Sequence, residues 1–205
     1  MSAVEVVVEI VKNNPAIRVL DFYPYAPKEN VFEALNNPSI SRLLFHDSAA
    51  GKEIRLKREE ITTSNICEII SSLEKEYVLS VLSKVVLEKN NVSHIPLMDF
   101  FGKGFSGEPV EMSQNLADIN HFLKEAGYVN GLILFSGRSF HYYGNYLMNE
   151  REWRSFLGDC LLSGLAEARY IGHREKDGYG VLRLSACSLR THVPKVVAIL
   201  DKKEV

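Results

Sequence analysis

The stretch Gly131-Leu-Ile-Leu-Phe-Ser-Gly-Arg-Ser-Phe-His-Tyr-Tyr-Gly144 decides how the rest of the chain is read. Leu132, Ile133, Leu134 and Phe135 form an apolar run without helical periodicity, which predicts a short strand buried on both faces. Ser136-Gly137 breaks the run. Beyond the break, Ser139, His141 and Tyr143 alternate with Phe140 and Tyr142. A period of two puts the serine, the histidine and one tyrosine on a common face, suited to a polar ligand.

Just upstream, Met112 to Ala126 carries Leu116, Ile119, Phe122 and Leu123 at helical spacing and is ended by Gly127. A loop with Gly102, Gly104, Gly107 and Pro109 precedes it; the spacing matches no phosphate-binding loop and reads as a connection. Before the loop, Val92 to Gly102 is a short apolar segment that brings Asp99 to its end. Downstream, Trp153, Phe156, Leu157, Leu161 and Leu162 predict an amphipathic helix over Glu150 to Leu165, with the tryptophan in the core. Glu167-Ala-Arg-Tyr-Ile-Gly172 follows, then Gly178 to Ser185 with Arg183, then an extended tail from Val193 to Leu200.

Farther out, Val4 to Val11 is rich in β-branched residues and reads as extended, and Ala16 to Tyr25 reads as a second extended stretch after an Asn13-Asn14-Pro15 turn. Pro27 to Asn37 predicts a short helix through Val31, Phe32 and Leu35, and Leu43 to Lys57 two strands joined by a His46–Gly51 turn. Arg55, Lys57 and Arg58 lie in a mixed-charge run that reads as a solvated strand face. Thr63-Ser64-Asn65 reads as a cap for a helix through Ile66, Ile69, Ile70 and Leu73, continuing from Tyr77 to Glu88 and ended by Asn90-Asn91.

Composition sets the outer bounds. A chain of 205 residues with 46% hydrophobic content can bury a sizeable core, and its net charge of −2 carries no global nucleic-acid signature. Cys67, Cys160 and Cys187 lie far apart without a paired spacing, which argues against a disulfide framework or zinc ribbon and for a reducing, cytoplasmic setting. No apolar run approaches the roughly 18 residues of a membrane span, and the N-terminus lacks the basic start of a signal peptide. Cys187 with His192 is too small a donor set for zinc, and neither Cys160 nor Cys187 sits in a nucleophile motif.

Three segments resemble the archaeo-eukaryotic primase superfamily of primases and primase-polymerases, and they follow one another in the chain as Asp99, Ser136–His141 and Glu167–Arg183. Ser136-Gly-Arg-Ser-Phe-His141 is similar to its small-polar-x-His motif. The strand ending at Asp99 resembles the first motif, an apolar strand closed by Asp-x-Asp, and Glu167 with the later Leu182-Arg183 stands where the third region carries its acidic residue and its cation. The resemblance spans about residues 92 to 197. It implies an α+β fold in which an RRM-like antiparallel sheet with helices, residues 92–205, packs against an N-terminal α/β unit, residues 1–91.

The resemblance also implies a site. Asp99 and Glu167 hold Mg²⁺ or Mn²⁺, Ser136, Arg138, Ser139, His141 and Arg183 bind a nucleoside triphosphate, and Asp99, His141 and Glu167 form the catalytic set of a nucleotidyltransferase acting on DNA or RNA. A partner protein or subunit is a further implied component. The chain departs from the pattern at Phe101, which occupies the second carboxylate place and cannot ligate a metal. Glu167 replaces aspartate, and its additional methylene displaces the oxygen in a site that demands near-octahedral geometry. Three readings follow: a primase-like nucleotidyltransferase with a weakened metal site, a catalytically inactive nucleotide or nucleic-acid binding module, or an unrelated α+β interaction protein.

Overall fold

The structure is a computed structural model that describes residues 1–27, 48–49, 53–101 and 109–201. It is an α+β fold of five helices and two antiparallel sheets among the described residues. The helix expected over Pro27 to Asn37, the strand and turn expected between Leu43 and Gly51 (apart from Ser48–Ala49) and the loop glycines Gly102, Gly104 and Gly107 lie outside them.

The first element corrects the sequence reading. Ala3–Asn13 is a helix, α1, not an extended segment. Its buried residues Ala3, Val4, Val6, Val7, Ile10 and Val11 form an apolar stripe, while Glu5 and Lys12 are exposed. A capping box closes the N-terminus: the Ser2 side chain accepts from the Glu5 backbone N–H, and the Glu5 carboxylate accepts from the Ser2 N–H at 2.6 Å. The intrinsic preference of valine for strands is smaller than the gain from burying a complete stripe.

The first sheet is built on β1 (Ile17–Ala26) and β4 (Val78–Leu87). β1 also pairs with β2 (Ser48–Ala49) and β3 (Ile54–Lys57), and β4 with β5 (Val92–His94) and β9 (Val181–Arg183). The predicted helix starts as expected, at α2 (Thr63–Ser72) with Thr62 as its cap, but it does not continue. Tyr77 to Glu88 is instead mostly β4, whose residues from Val78 to Ser83 are all buried. A strand flanked by partners on both edges and covered on both faces shows no alternation, and its apolar run is easily mistaken for a helix segment. Arg55 of the mixed-charge run pairs across strands with Asp21, both contacts at 2.8 Å. Arg58 donates to the backbone oxygens of Asn14 and Ile17.

The second sheet has the order β10-β7-β8-β6, with β6 at Leu97–Phe100, β7 at Gly131–Phe135, β8 at Phe140–Gly144 and β10 at Lys195–Leu200. The hairpin β7–β8 is the one expected from Gly131 to Gly144. The sheet separates two cores. Leu97, Leu134 and Tyr143 pack with the first sheet and α1. Met98, Phe100, Ile133, Phe140 and Tyr142 pack on the other side, against α3 (Pro109–Glu125), α4 (Glu150–Ser163) and α5 (Ala168–Asp177). Trp153 is fully buried in that second core, as predicted, whereas Leu162, placed on the apolar stripe by its spacing, is 86% exposed. No helix among the described residues is long and apolar enough to cross a membrane.

Candidate functional site

The site forms where the second sheet turns its Leu97–Tyr143 face toward the first. β6 and β8 pair with Asp99 directly opposite His141, and Leu134 of β7 flanks His141 on the other side. The alternation read from the sequence is therefore correct, but the face it defines is not open. Every residue of β8 is buried, and the Tyr143 hydroxyl donates to the Arg183 carbonyl of β9 at 3.4 Å. The face meets the other sheet across a narrow polar seam.

Ser136 and Ser139 close the turn that leads into β8. Ser136 N donates to Ser139 O at 2.9 Å, and the two hydroxyl oxygens lie 2.8 Å apart. Between them Gly137 takes φ +99°, and a Cβ there would meet the Cβ and Cγ of His192 at 2.8 Å. Only glycine meets both requirements in a hairpin this tight. Arg138 beside it is exposed and, among the described residues, makes no hydrogen bond or ion pair.

Asp99 and His141 are poorly satisfied. His141 Nε2 lies 3.8 Å from Asp99 Oδ1, too far for a hydrogen bond, and both Asp99 Oδ1 and His141 Nδ1 are buried with no hydrogen-bond partner among the described residues. Burial, reinforced by the nearby positive charge of Arg183, pushes the His141 imidazole down to about 3, so it is neutral at physiological pH. Burial also raises the Asp99 carboxyl above its usual value, against the opposing pull of Ser139, Arg183 and Arg190. The histidine and the carboxylate are therefore not an ion pair.

Arg183 reaches the site from β9. Its Nη1 donates to the carbonyls of Ser185 at 2.9 Å and His192 at 2.5 Å, and its Nη2 to the carbonyl of Ser136, joining the two sheets. Burial lowers its pKa, and the neighbouring Tyr25 and Asp99 partly offset that. Glu167 caps α5 and is exposed. The preceding Ala166 bridges Phe100 antiparallel, and the Phe101 N–H donates to Leu165 O at 3.0 Å, so Glu167 comes next in register to Asp99. Phe101 stands just beyond β6 with 48% of its surface exposed.

Sequence reasoning missed three side chains that bear on the site. Arg190 acts electrostatically on both Asp99 and Arg183, Tyr25 on Arg183, and Tyr170 on Asp99. Asp21 to Tyr25 reads from the sequence either as a ligand-facing strand end or, with more weight, as core or interface aromatics, and no local pattern distinguishes Arg190 from a surface arginine.

Against known proteins, a family model described as archaeo-eukaryotic primase 1D-like matches residues 57–196, most of the chain. The chain belongs to this primase-like family. The match takes in α2 and β4 as well as all three motif segments, so it reaches further toward the N-terminus than the motifs alone. Neither the comparison with curated proteins nor that with solved structures returned a match.

In this primase-like chain the donor set can be tested against a divalent metal. Asp99 Oδ1 is an unpartnered buried oxygen, the kind of atom a cation would satisfy. The surrounding charges point the other way. Arg183 and Arg190 lie close enough to act on the carboxylate, Phe101, two residues on, offers no oxygen, and no three His, Cys, Asp or Glu side chains among the described residues converge on a metal position. Two hard cations bound in line need more carboxylate than this. The described residues do not fit a two-metal centre.

Proposed function

We propose that this primase-like chain binds a nucleoside triphosphate at the Asp99–His141 seam and does not itself carry out nucleotidyl transfer. The observation that supports this most is the charge balance of the seam: one carboxylate, a neutral imidazole, and the guanidinium groups of Arg183 and Arg190 in electrostatic reach of that carboxylate. Such a group of side chains favours a polyanion over a dication, and charge-assisted donors hold phosphate without a bridging metal. Arg138, exposed at the tip of the β7–β8 turn, adds a third cation on the approach to the seam. DNA, RNA or a partner subunit is the second component on which a triphosphate-loaded module of this fold acts.

Template-directed transfer is the second reading, and it rests on Glu167. The Phe100–Ala166 bridge sets this residue next in register to Asp99, where Mg²⁺ or Mn²⁺ would draw on both carboxylates. An incorporation assay on primed DNA and RNA templates with Mn²⁺ separates the two. The wild-type chain yields no extended product, while triphosphate still raises its thermal midpoint by linkage. Metal-dependent extension by the wild type, abolished in Glu167→Gln, overturns the binding-only reading.

A further inference from the structure

Arg183 and Arg190, the latter on the loop that Arg183 and His192 bring against the Ser136–Gly137 turn, are held in opposite ways. Arg183 spends its terminal nitrogens on three backbone carbonyls, those of Ser136, Ser185 and His192, and is buried. Ser185 and His192 are the two ends of a loop, and the Ser185 hydroxyl oxygen also accepts from Leu79 N at 2.9 Å. Inside the loop, Cys187 and Arg190 close a tight turn by backbone bonds in both directions, 2.9 and 3.2 Å, and Ser188 N donates to Lys75 O at 3.1 Å. Arg190 rides on that anchored turn, half-buried. Among the described residues its guanidinium makes one hydrogen bond, Nη1 to Leu189 O at 3.2 Å.

A guanidinium has five N–H donors in a rigid fork. Engaging phosphate through Arg183 would require breaking buried bonds that hold the Ser136 turn and both ends of the 185–192 loop. Engaging it through Arg190 costs none of these.

We infer that Arg190, not Arg183, is the guanidinium that grips the phosphate oxygens of the ligand, and that Arg183 is a positioning residue that holds the Arg190 loop and the Ser136–Ser139 turn together. The inference rests on the triphosphate reading of the seam. It assigns the phosphate contact to a residue outside the three motif segments.

The test is calorimetric titration of the full chain, without divalent metal, with adenosine triphosphate, guanosine triphosphate and their monophosphates. Arg190→Ala weakens triphosphate binding by about ten- to a hundredfold, the span of a charge-assisted hydrogen bond, and narrows the preference for triphosphate over monophosphate. Arg190→Lys recovers part of the loss, and both variants keep the wild-type thermal midpoint. Arg183→Ala lowers that midpoint. Wild-type binding that survives unchanged in Arg190→Ala overturns the assignment and leaves the triphosphate reading standing. Absence of triphosphate binding by the wild type overturns both.

Discussion

His94 and His141 are both buried histidines on antiparallel strands, 0% and 3% exposed, yet one is fully bonded and the other is not. His94 Nδ1 lies 3.2 Å from the Ser83 hydroxyl, its Nε2 lies 2.9 Å from Glu150, and its ring stacks on Trp153 at 4.4 Å. Ser83 Oγ in turn accepts from Gly180 N at 2.8 Å. The network thus ties β4 and β5 to the first turn of α4 and to the entry of β9. His141 has a carboxylate opposite it in register, and its Nδ1 has no partner among the described residues. Among the described residues the two buried imidazoles are thus held in different ways.

The largest expected effect follows from this contrast. His94→Leu leaves the buried Ser83 hydroxyl without its acceptor and costs about 2–4 kcal/mol of unfolding free energy. His141→Leu removes a polar atom that has no partner and is near neutral or stabilising. Denaturant melts of the two variants measure both; equal losses would erase the distinction between the two histidines.

Asp99→Asn sharpens the same contrast with a smaller effect. Burial raises the Asp99 carboxyl, so the folded state disfavours its charge, and removing that charge is stabilising at pH 7. A raised carboxyl contributes stability at low pH that is lost as pH rises through its folded value. The advantage of Asp99→Asn therefore disappears on acidification, which thermal melts at pH 7 and pH 4 reveal. A destabilised Asp99→Asn at pH 7 would show that the carboxylate is a structural anchor.

A third effect lies in the pH profile. The unfolded chain protonates His141 near pH 6.5, whereas the folded chain holds it neutral down to about 3. The folded state therefore binds fewer protons in that window, and stability is complete above pH 6.5 and declines as pH falls toward 3. His94 is also held low, by burial against the pull of Glu150, and contributes with the same sign. The thermal midpoint of the wild type falls between pH 6.5 and 4, and His141→Leu makes the fall shallower. An unchanged slope would mean that the imidazole is solvated in the folded state.

The parts of this architecture that were legible in the sequence are those with a local cause. The apolar run Leu132–Phe135, the Ser-Gly break and the alternation through Tyr143 place β7, the turn and β8, and the Gly127 stop places the end of α3. The valines of α1 concealed a helix because the decisive signal was the spacing of polar Ser2, Glu5, Glu9 and Lys12 rather than the residue types between them. α5 has almost no apolar stripe; only Ile171 and Arg174 are buried in it. Asp99 and His141 were found by motif, and the register places them face to face. The placement of Arg183 depends on carbonyls at 136, 185 and 192 converging on its guanidinium, and that of His94 on a glutamate 56 residues away. No local pattern encodes either.

The measurement that bears most directly on the seam is a calorimetric titration of the purified chain with a nucleoside triphosphate, once with chelator and once with Mn²⁺, using His141→Leu as the control. The charge balance at Asp99 predicts binding of similar strength in both solutions and its loss in the variant. Binding that appears only with Mn²⁺ would contradict a seam built for a polyanion and restore Asp99 and Glu167 as metal ligands.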